Sequence, residues 1–260
     1  MSNVTKTFLQ EILQTPISGS RPKGGVSVEG DIPSFGGENI TMSGAIDFYP
    51  VKKISASFFN QMKRGHLREL DVLINKDGAN TGKSAIYRNS PYSKAAINEH
   101  LFILRGIPER IDQIYLHYFF LSTKTKRAVE TKINGSAQPG LNSKFIQNIS
   151  VNLPPLPEQR KIATILTSVD EVIENTRKQI EKLQDLKKAV MNDLLTRGIG
   201  HTEFKDSELG RIPKSWKSCE LQCLAKDYKN SIVDGPFGSN LKASDYNSTG
   251  VPVLQAPLEH

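Results

Sequence analysis

The most suggestive chemical motif in the chain is Asp77-Gly-Ala-Asn-Thr-Gly-Lys-Ser84. It ends in Gly82-Lys83-Ser84 and follows a strand-like run, Asp71 to Ile74, as a nucleotide-binding P-loop would. A phosphate cradle of the form G-x-x-x-x-G-K-[ST] needs its first glycine at position 77, where Asp77 stands. Ala85-Ile-Tyr87 continues as a strand, so no helix N-terminus faces a phosphate. A hairpin turn accounts better for the Gly, Asn and Asp content. Cys219 and Cys223 are four residues apart without a nearby His pair, short of a zinc site, and read as small buried apolar residues. His66, His100, His117 and His201 are scattered, and no G-x-S-x-G elbow is present. Asn152-Leu-Pro-Pro155 approaches an Asn-Pro-Pro-aromatic motif, but Leu153 intervenes, the aromatic is missing and no Gly-rich cofactor loop accompanies it. Glu130-Thr-Lys132, as half of a carboxylate–lysine site, is too common a tripeptide to carry weight. Catalysis, a metal and a cofactor are therefore not expected in this chain.

Charge points elsewhere. Of 34 Lys+Arg, residues 1–150 hold 19, against 12 Asp+Glu, while residues 151–260 are balanced. The whole net charge of +7 thus falls on the front part. Such asymmetry suits a polyanion-binding module joined to a neutral scaffold, and equally a basic domain with no such partner. The densest apolar run, Tyr115 to Leu121, is seven residues long and contains His117. A bilayer span needs roughly 20 apolar residues, so no membrane segment is expected. Two cysteines and no signal-peptide pattern fit a reducing, cytoplasmic setting.

The elements that must carry this charge read as an α+β arrangement. Ile32–Phe35, Asp71–Ile74, Ser84–Tyr87, Ala96–Asn98 and Leu101–Leu104 are β-branched or aromatic runs, most of them punctuated by turn residues. Ile111 to Val129 shows apolar residues at helical spacing and is expected to be one helix on the sheet. The prolines of Asn152-Leu-Pro-Pro-Leu-Pro157 predict a stiff extended lead-in.

Glu158 to about Thr196 carries the strongest periodic signal. One heptad seam holds Ile162, Val169, Thr176, Leu183 and Val190; the other holds Leu166, Ile173, Ile180, Lys187 and Leu194. Ile165, Val172 and Leu186 widen the stripe, and Gly198 and Gly200 end it. A helix of this length, roughly 58 Å at about 1.5 Å per residue, cannot bury its stripe alone. A partner helix is implied, the other possibility being a helix laid along its own domain.

Past Thr202–Lys217 the sequence reads as a second beginning. Leu221-Gln-Cys-Leu224 echoes Leu9-Gln-Glu-Ile12, and Gly250-Val-Pro-Val-Leu254 echoes Asp31-Ile-Pro-Ser-Phe35. The domain expectation is residues 1–157 as a globular recognition unit, 158–200 as a spacer helix, and 201–257 as linker and incomplete second unit. Residues 258–260 read as a tag remnant.

A resemblance brings these features together. Leu70-Asp-Val-Leu-Ile74, Gly78 to Ile86, Ala96-Ile-Asn98 and Gly135-Ser-Ala-Gln-Pro-Gly-Leu-Asn142 precede Leu153-Pro-Pro-Leu-Pro-Glu-Gln159, Lys161-Ile-Ala163, Leu166, Val169 and Asp170. In this order they resemble the specificity (S) subunits of type I restriction–modification systems, the HsdS family, from about residue 9 to 200. The resemblance implies a non-catalytic reader of double-stranded DNA. In that family two target recognition domains, each followed by a long helix, read the halves of a bipartite sequence. Methylation subunits (HsdM) then supply S-adenosylmethionine chemistry, and restriction subunits (HsdR) supply ATP- and Mg-dependent translocation and cleavage.

This sequence holds one full recognition domain, so it reads as a half-subunit. Two chains are expected to pair antiparallel through residues 158–196, since Lys187 would face itself in a parallel register. A regulatory fragment competing for the methylation subunit and a coiled-coil interaction module are the rival readings. Phosphate contacts are expected from the front lysines and arginines. The DNA-contact candidates on loops are Arg21, Lys23, Lys63, Arg64, Asn80, Lys83, Arg88 and Lys94.

Overall fold

A computed structural model describes residues 5–23, 30–134 and 140–225. The chain divides into two compact units, residues 1–178 and 179–260. In the first, β1 (Thr5–Phe8) and α1 (Leu9–Ile12) lead to β2 (Ile17–Ser18), β3 (Ile32–Phe35), β4 (Lys53–Ile54) and α2 (Ala56–Gln61). Four strands follow: β5 (Asp71–Asn75), β6 (Ser84–Tyr87), β7 (Ala96–Ile97) and β8 (Leu101–Leu104). Then come α3 (Gln113–Leu121), α4 (Thr123–Glu130), the short pair β9 (Ile133–Asn134) and β10 (Gly140–Leu141), β11 (Ser150–Leu153) and α5 (Leu156–Arg197). In the second unit a hairpin, β12 (Phe204–Ser207) and β13 (Gly210–Pro213), follows the end of α5.

The central sheet has the order β2-β8-β5-β6 and is antiparallel throughout. β5 is buried at all five positions because both of its faces are covered. Val72 and Ile74 point toward α1, α3 and the segment Phe145–Val151; Leu73 points toward Phe35, Tyr87, Ile97 and Ile103. On that second side β3 joins β4 antiparallel and β7 parallel, and Phe35 meets Phe48 and Tyr87 edge-on at 5.7 and 5.8 Å. The buried carboxylate of Asp71 receives two parallel bonds from Arg105, Nε and Nη2 each at 2.7 Å, and a third from the Arg68 amide at 2.9 Å. Arg105 also reaches the His66 carbonyl at 3.0 Å, so one ion pair anchors the loop before β5.

Three local expectations need correction. The helix predicted over Ile111–Val129 is two helices, parted at Ser122, whose backbone is extended (φ −65°, ψ 141°). Ser122 ends α3 and caps α4, its hydroxyl accepting from the Thr125 amide at 3.2 Å. Asp112 caps α3 in the same way, accepting from the Ile114 and Tyr115 amides. The extended lead-in stops at Pro155: α5 starts at Leu156 and takes Pro157 into its first turn, where a missing amide costs nothing. Cys219 and Cys223 are both exposed rather than buried. The second echo, Gly250–Leu254, the terminal Leu258–His260 and most of Gly135–Asn142 lie outside the described residues.

α5 is held to its domain near its start. Gln159 is fully buried and satisfies three backbone groups: its Oε1 accepts from the Asp112 amide at 2.9 Å, and its Nε2 donates to the Arg110 and Pro154 carbonyls at 3.1 and 2.8 Å. Ala163 is buried, and Tyr118 donates to Asp170 at 2.6 Å, about two turns further along. The apolar stripe faces solvent instead. Ile162 is half-buried, whereas Leu166, Val169, Ile173, Ile180, Leu183, Val190 and Leu194 are all exposed. The helix ends where Gly198 takes a left-handed conformation (φ 67°) and its amide bonds back to the Leu194 carbonyl.

Replacing Gln159 by Leu strands one amide and two carbonyls in a dry site, at roughly 1–3 kcal/mol for each group left unpaired. Urea unfolding of Gln159→Leu is expected to show a loss of about 3 kcal/mol or more; a loss under about 1 kcal/mol contradicts this role. His117, buried on α3, has its pKa pushed down to about 4, mainly by burial and also by the Arg88 charge, against the opposing charge of Asp170. The unfolded chain takes up that proton near pH 6.5 and the folded chain only near 4. This contribution is complete above pH 6.5 and is lost as pH falls through 4, about 3 kcal/mol over the interval. His117→Leu is expected to flatten the stability–pH curve over that window relative to the parent.

Candidate nucleic-acid interface

Antiparallel pairing decides which loops share an edge. β8 lies against β2 with Ser18 opposite Phe102, β5 against β8 with Asn75 opposite Leu101, and β5 against β6 with Ile74 opposite Ser84. The C-terminal ends of β2 and β5 therefore meet the N-terminal ends of β6 and β8. The β7–β8 turn, Asn98-Glu-His100, joins the same end, with the Asn98 amide bonded to the Phe35 carbonyl at 2.9 Å. Residues 65–67 run antiparallel to 95–97, with the Ile97 amide on the Gly65 carbonyl and the Leu67 amide on the Ala95 carbonyl, both at 2.9 Å. Lys63 and Arg64 thereby reach the Asn98 side. Two glycines allow the close approach: a Cβ on Gly19 would stand 2.0 Å from the Ile97 oxygen, and one on Gly65 (φ 91°) 2.8 Å from the Gly19 Cα.

Six of the eight DNA-contact candidates gather at this end: Arg21 and Lys23 beyond β2, Lys63 and Arg64 before Gly65, and Asn80 and Lys83 in the β5–β6 turn. Lys23, Lys63 and Arg64 are exposed, Lys83 is half-buried, and none is in an ion pair with another described residue. Asn80 donates to the Gly37 carbonyl at 3.3 Å, which fixes the hairpin turn. The turn itself is the one expected in place of a P-loop, with β5 and β6 antiparallel on either side of it. Two candidates lie elsewhere. Lys94 is exposed at the opposite end of β7. Arg88, past the far end of β6, lines a cavity of about 710 Å³ with His117, Asp170, Glu174, Arg177 and Lys178.

The same end also holds residues that are not among the eight candidates. A concavity of about 560 Å³ is lined by Arg21, Glu38, Pro50, Val51, Lys52, Asn98, Glu99 and His100. Its charges are paired: Arg21 Nε with Glu99 Oε1 at 2.8 Å, Lys52 with Glu38 at 2.9 Å, and His100 Nδ1 with Asp77. His100 Nε2 lies 3.3 Å from the same Glu99 oxygen. Burial raises the Glu38 pKa, but the hydrogen bond and charge of Lys52 outweigh it and hold the carboxyl below its ordinary value. The sequence signal available for these residues was the three-residue turn between two strands; nothing in it tells that Asp77 and Arg21 meet that turn. Among the described residues no group of three His, Cys, Asp or Glu side chains is placed to hold a metal, and no helix is long and apolar enough to cross a membrane.

A family model, type I restriction modification DNA specificity domain, matches residues 1–185. The MjaVIII type I restriction enzyme specificity subunit of Methanocaldococcus jannaschii is 32% identical over 191 residues, covering 73% of this chain and 41% of that protein. The MjaX specificity subunit of the same organism is 35% identical over 183 residues, covering 68% and 41%. The chain thus spans about two fifths of the length of these curated relatives. Two solved structures share the fold. The S subunit of a type I restriction–modification system from M. genitalium aligns with a TM-score of 0.53 and 15% identity, covering 74% of this chain and 46% of that one. A chain from a structure of type I restriction–modification complex assembly and conformational transition aligns with a TM-score of 0.51 and 23% identity, covering 73% and 45%. With residues 1–185 matched and the recognition-domain-plus-helix fold shared, this chain belongs to the type I restriction modification DNA specificity family.

Proposed function

We propose that the chain is a non-catalytic specificity subunit that binds double-stranded DNA through the strand-end surface around Lys63, Arg64, Lys23 and Lys83. The observation that carries this reading is the gathering of these cations, free of ion pairs with other described residues, at one edge of a fold whose family is DNA-specifying. Phosphate contacts of this kind supply affinity and register but no sequence choice.

The solvated stripe on α5 supports the second part of the proposal: in the 260-residue form, two copies pair antiparallel through Ile162, Leu166, Val169, Ile173, Ile180, Leu183, Val190 and Leu194. The pair would read a symmetric, bipartite site. The cytoplasmic methylation subunit HsdM and restriction subunit HsdR would dock on this scaffold, bringing S-adenosylmethionine, ATP and Mg with them.

Fluorescence anisotropy with a randomised duplex pool tests the DNA contact. Binding is expected to weaken steeply with salt, and Lys63→Ala with Arg64→Ala to weaken it for all sequences alike, lowering the log–log salt slope by roughly one per residue removed. An unchanged slope removes these two residues from the interface. Light scattering tests the pairing: the parent is expected at twice 28.9 kDa, and Ile180→Glu with Leu183→Glu at 28.9 kDa. A monomeric parent at micromolar concentration overturns the dimer.

A further inference from the structure

The strand-end surface holds two electrostatically different zones. Among the described residues no carboxylate pairs with Lys23, Lys63, Arg64 or Lys83. Inside the adjoining concavity every cation has one: Arg21 has Glu99, Lys52 has Glu38, and His100 has Asp77 and Glu99. Carboxylates repel phosphate, so a concavity lined with them is a poor place for the sugar–phosphate backbone. It does not repel base edges, which are uncharged and present donors and acceptors. A protein that reads sequence needs a side chain there with fixed orientation and planar donor geometry.

Arg21 meets that requirement. Its side chain is 61% exposed, yet it is not free to swing, because Glu99 Oε1 lies 2.8 Å from its Nε and is itself 3.3 Å from His100 Nε2. The contact is on the Nε edge of the guanidinium, and the Nη groups carry no hydrogen bond to another described residue. His100 is fixed in turn by Asp77 and by its own amide on the Asn98 Oδ1 at 2.9 Å. The result is an arginine lining the depression, held at Nε by a carboxylate, with its Nη groups bonded to no other described residue.

We infer that Arg21 is a specificity-determining residue, reading a guanine edge in the major groove, and that Glu99 is its positioning residue. The inference rests on the DNA-binding reading above and assigns within it which group chooses sequence and which groups only hold the duplex.

The test is selection of bound duplexes from a pool with a randomised 30-base-pair core, followed by sequencing, for the full parent chain, Arg21→Lys, Glu99→Gln and Lys63→Ala. Arg21→Lys keeps the charge and loses the fork. It is expected to reduce the preference for guanine at one base pair of each half-site by about tenfold, within the roughly 5- to 150-fold span of one bidentate contact. Its salt slope and thermal midpoint are expected to match the parent. Glu99→Gln is expected to relax the same base pair partially, whereas Lys63→Ala lowers recovery without changing the selected sequence. An Arg21→Lys profile identical to the parent's, or one weakened equally for all sequences, overturns the assignment while leaving DNA binding in place. A parent chain that selects no sequence and shows no salt-dependent binding overturns the underlying reading as well.

Discussion

The arrangement depends on one buried amide. Gln159 closes a gap where three backbone groups from two loops would otherwise be left without partners, and its own backbone belongs to the first turns of the long helix. Because the amide both donates and accepts, it can bind the Asp112 N–H and the Arg110 and Pro154 carbonyls together; no carboxylate or hydroxyl of similar size offers that set. Asp112 in turn caps α3, so the same contact network orients the helix that covers one face of the sheet. Tyr118 on α3 then reaches Asp170, a second attachment along the same side of α5. Domain and helix are fixed to one another over residues 156–170 by hydrogen bonds with little exposed apolar area consumed. This leaves the stripe for another surface.

The sheet places the candidate surface by a different means. Both faces of β5 are covered, so that strand presents no face to solvent. The candidate surface falls at the strand ends, where short turns converge from segments far apart in sequence. Asp71 and Arg105 do the equivalent work at the other end, holding the loop before β5 through a buried bidentate pair. The ion pairs of the exposed concavity are of another kind. Open to water and screened by salt, they add little stability, and their effect is to restrict orientation.

Much of the architecture was legible in the residues. The Asp71–Ile74 and Leu101–Leu104 runs, the hairpin at Gly78–Gly82 and the uninterrupted heptad seam are local signals, and local hydrogen bonding realises each of them. The division of the Ile111–Val129 segment was missed because its apolar spacing continues through Ser122, while the break is made by one hydroxyl and one extended backbone. The cysteines were misjudged because propensity for burial is overruled where a short segment has nothing to cover it. Six of the eight DNA-contact candidates come together, but Arg88 and Lys94 do not, because which end of a strand a loop occupies is set by pairing rather than by composition. The carboxylates Glu38, Asp77 and Glu99 were invisible for the same reason: only the folded chain brings them to Lys52, His100 and Arg21.

The solvated flank of α5 has a mechanical consequence. Beyond Asp170 the side chains of this helix are exposed almost without exception. A lone helix in water bends and frays on its own thermal scale, since cooperativity along the backbone is weak without tertiary contacts. A surface laid along its apolar side would add the stiffness that such a strut lacks alone. If two copies pair as proposed, the rigidity of the strut is acquired on pairing, and a lone copy has the length without the stiffness.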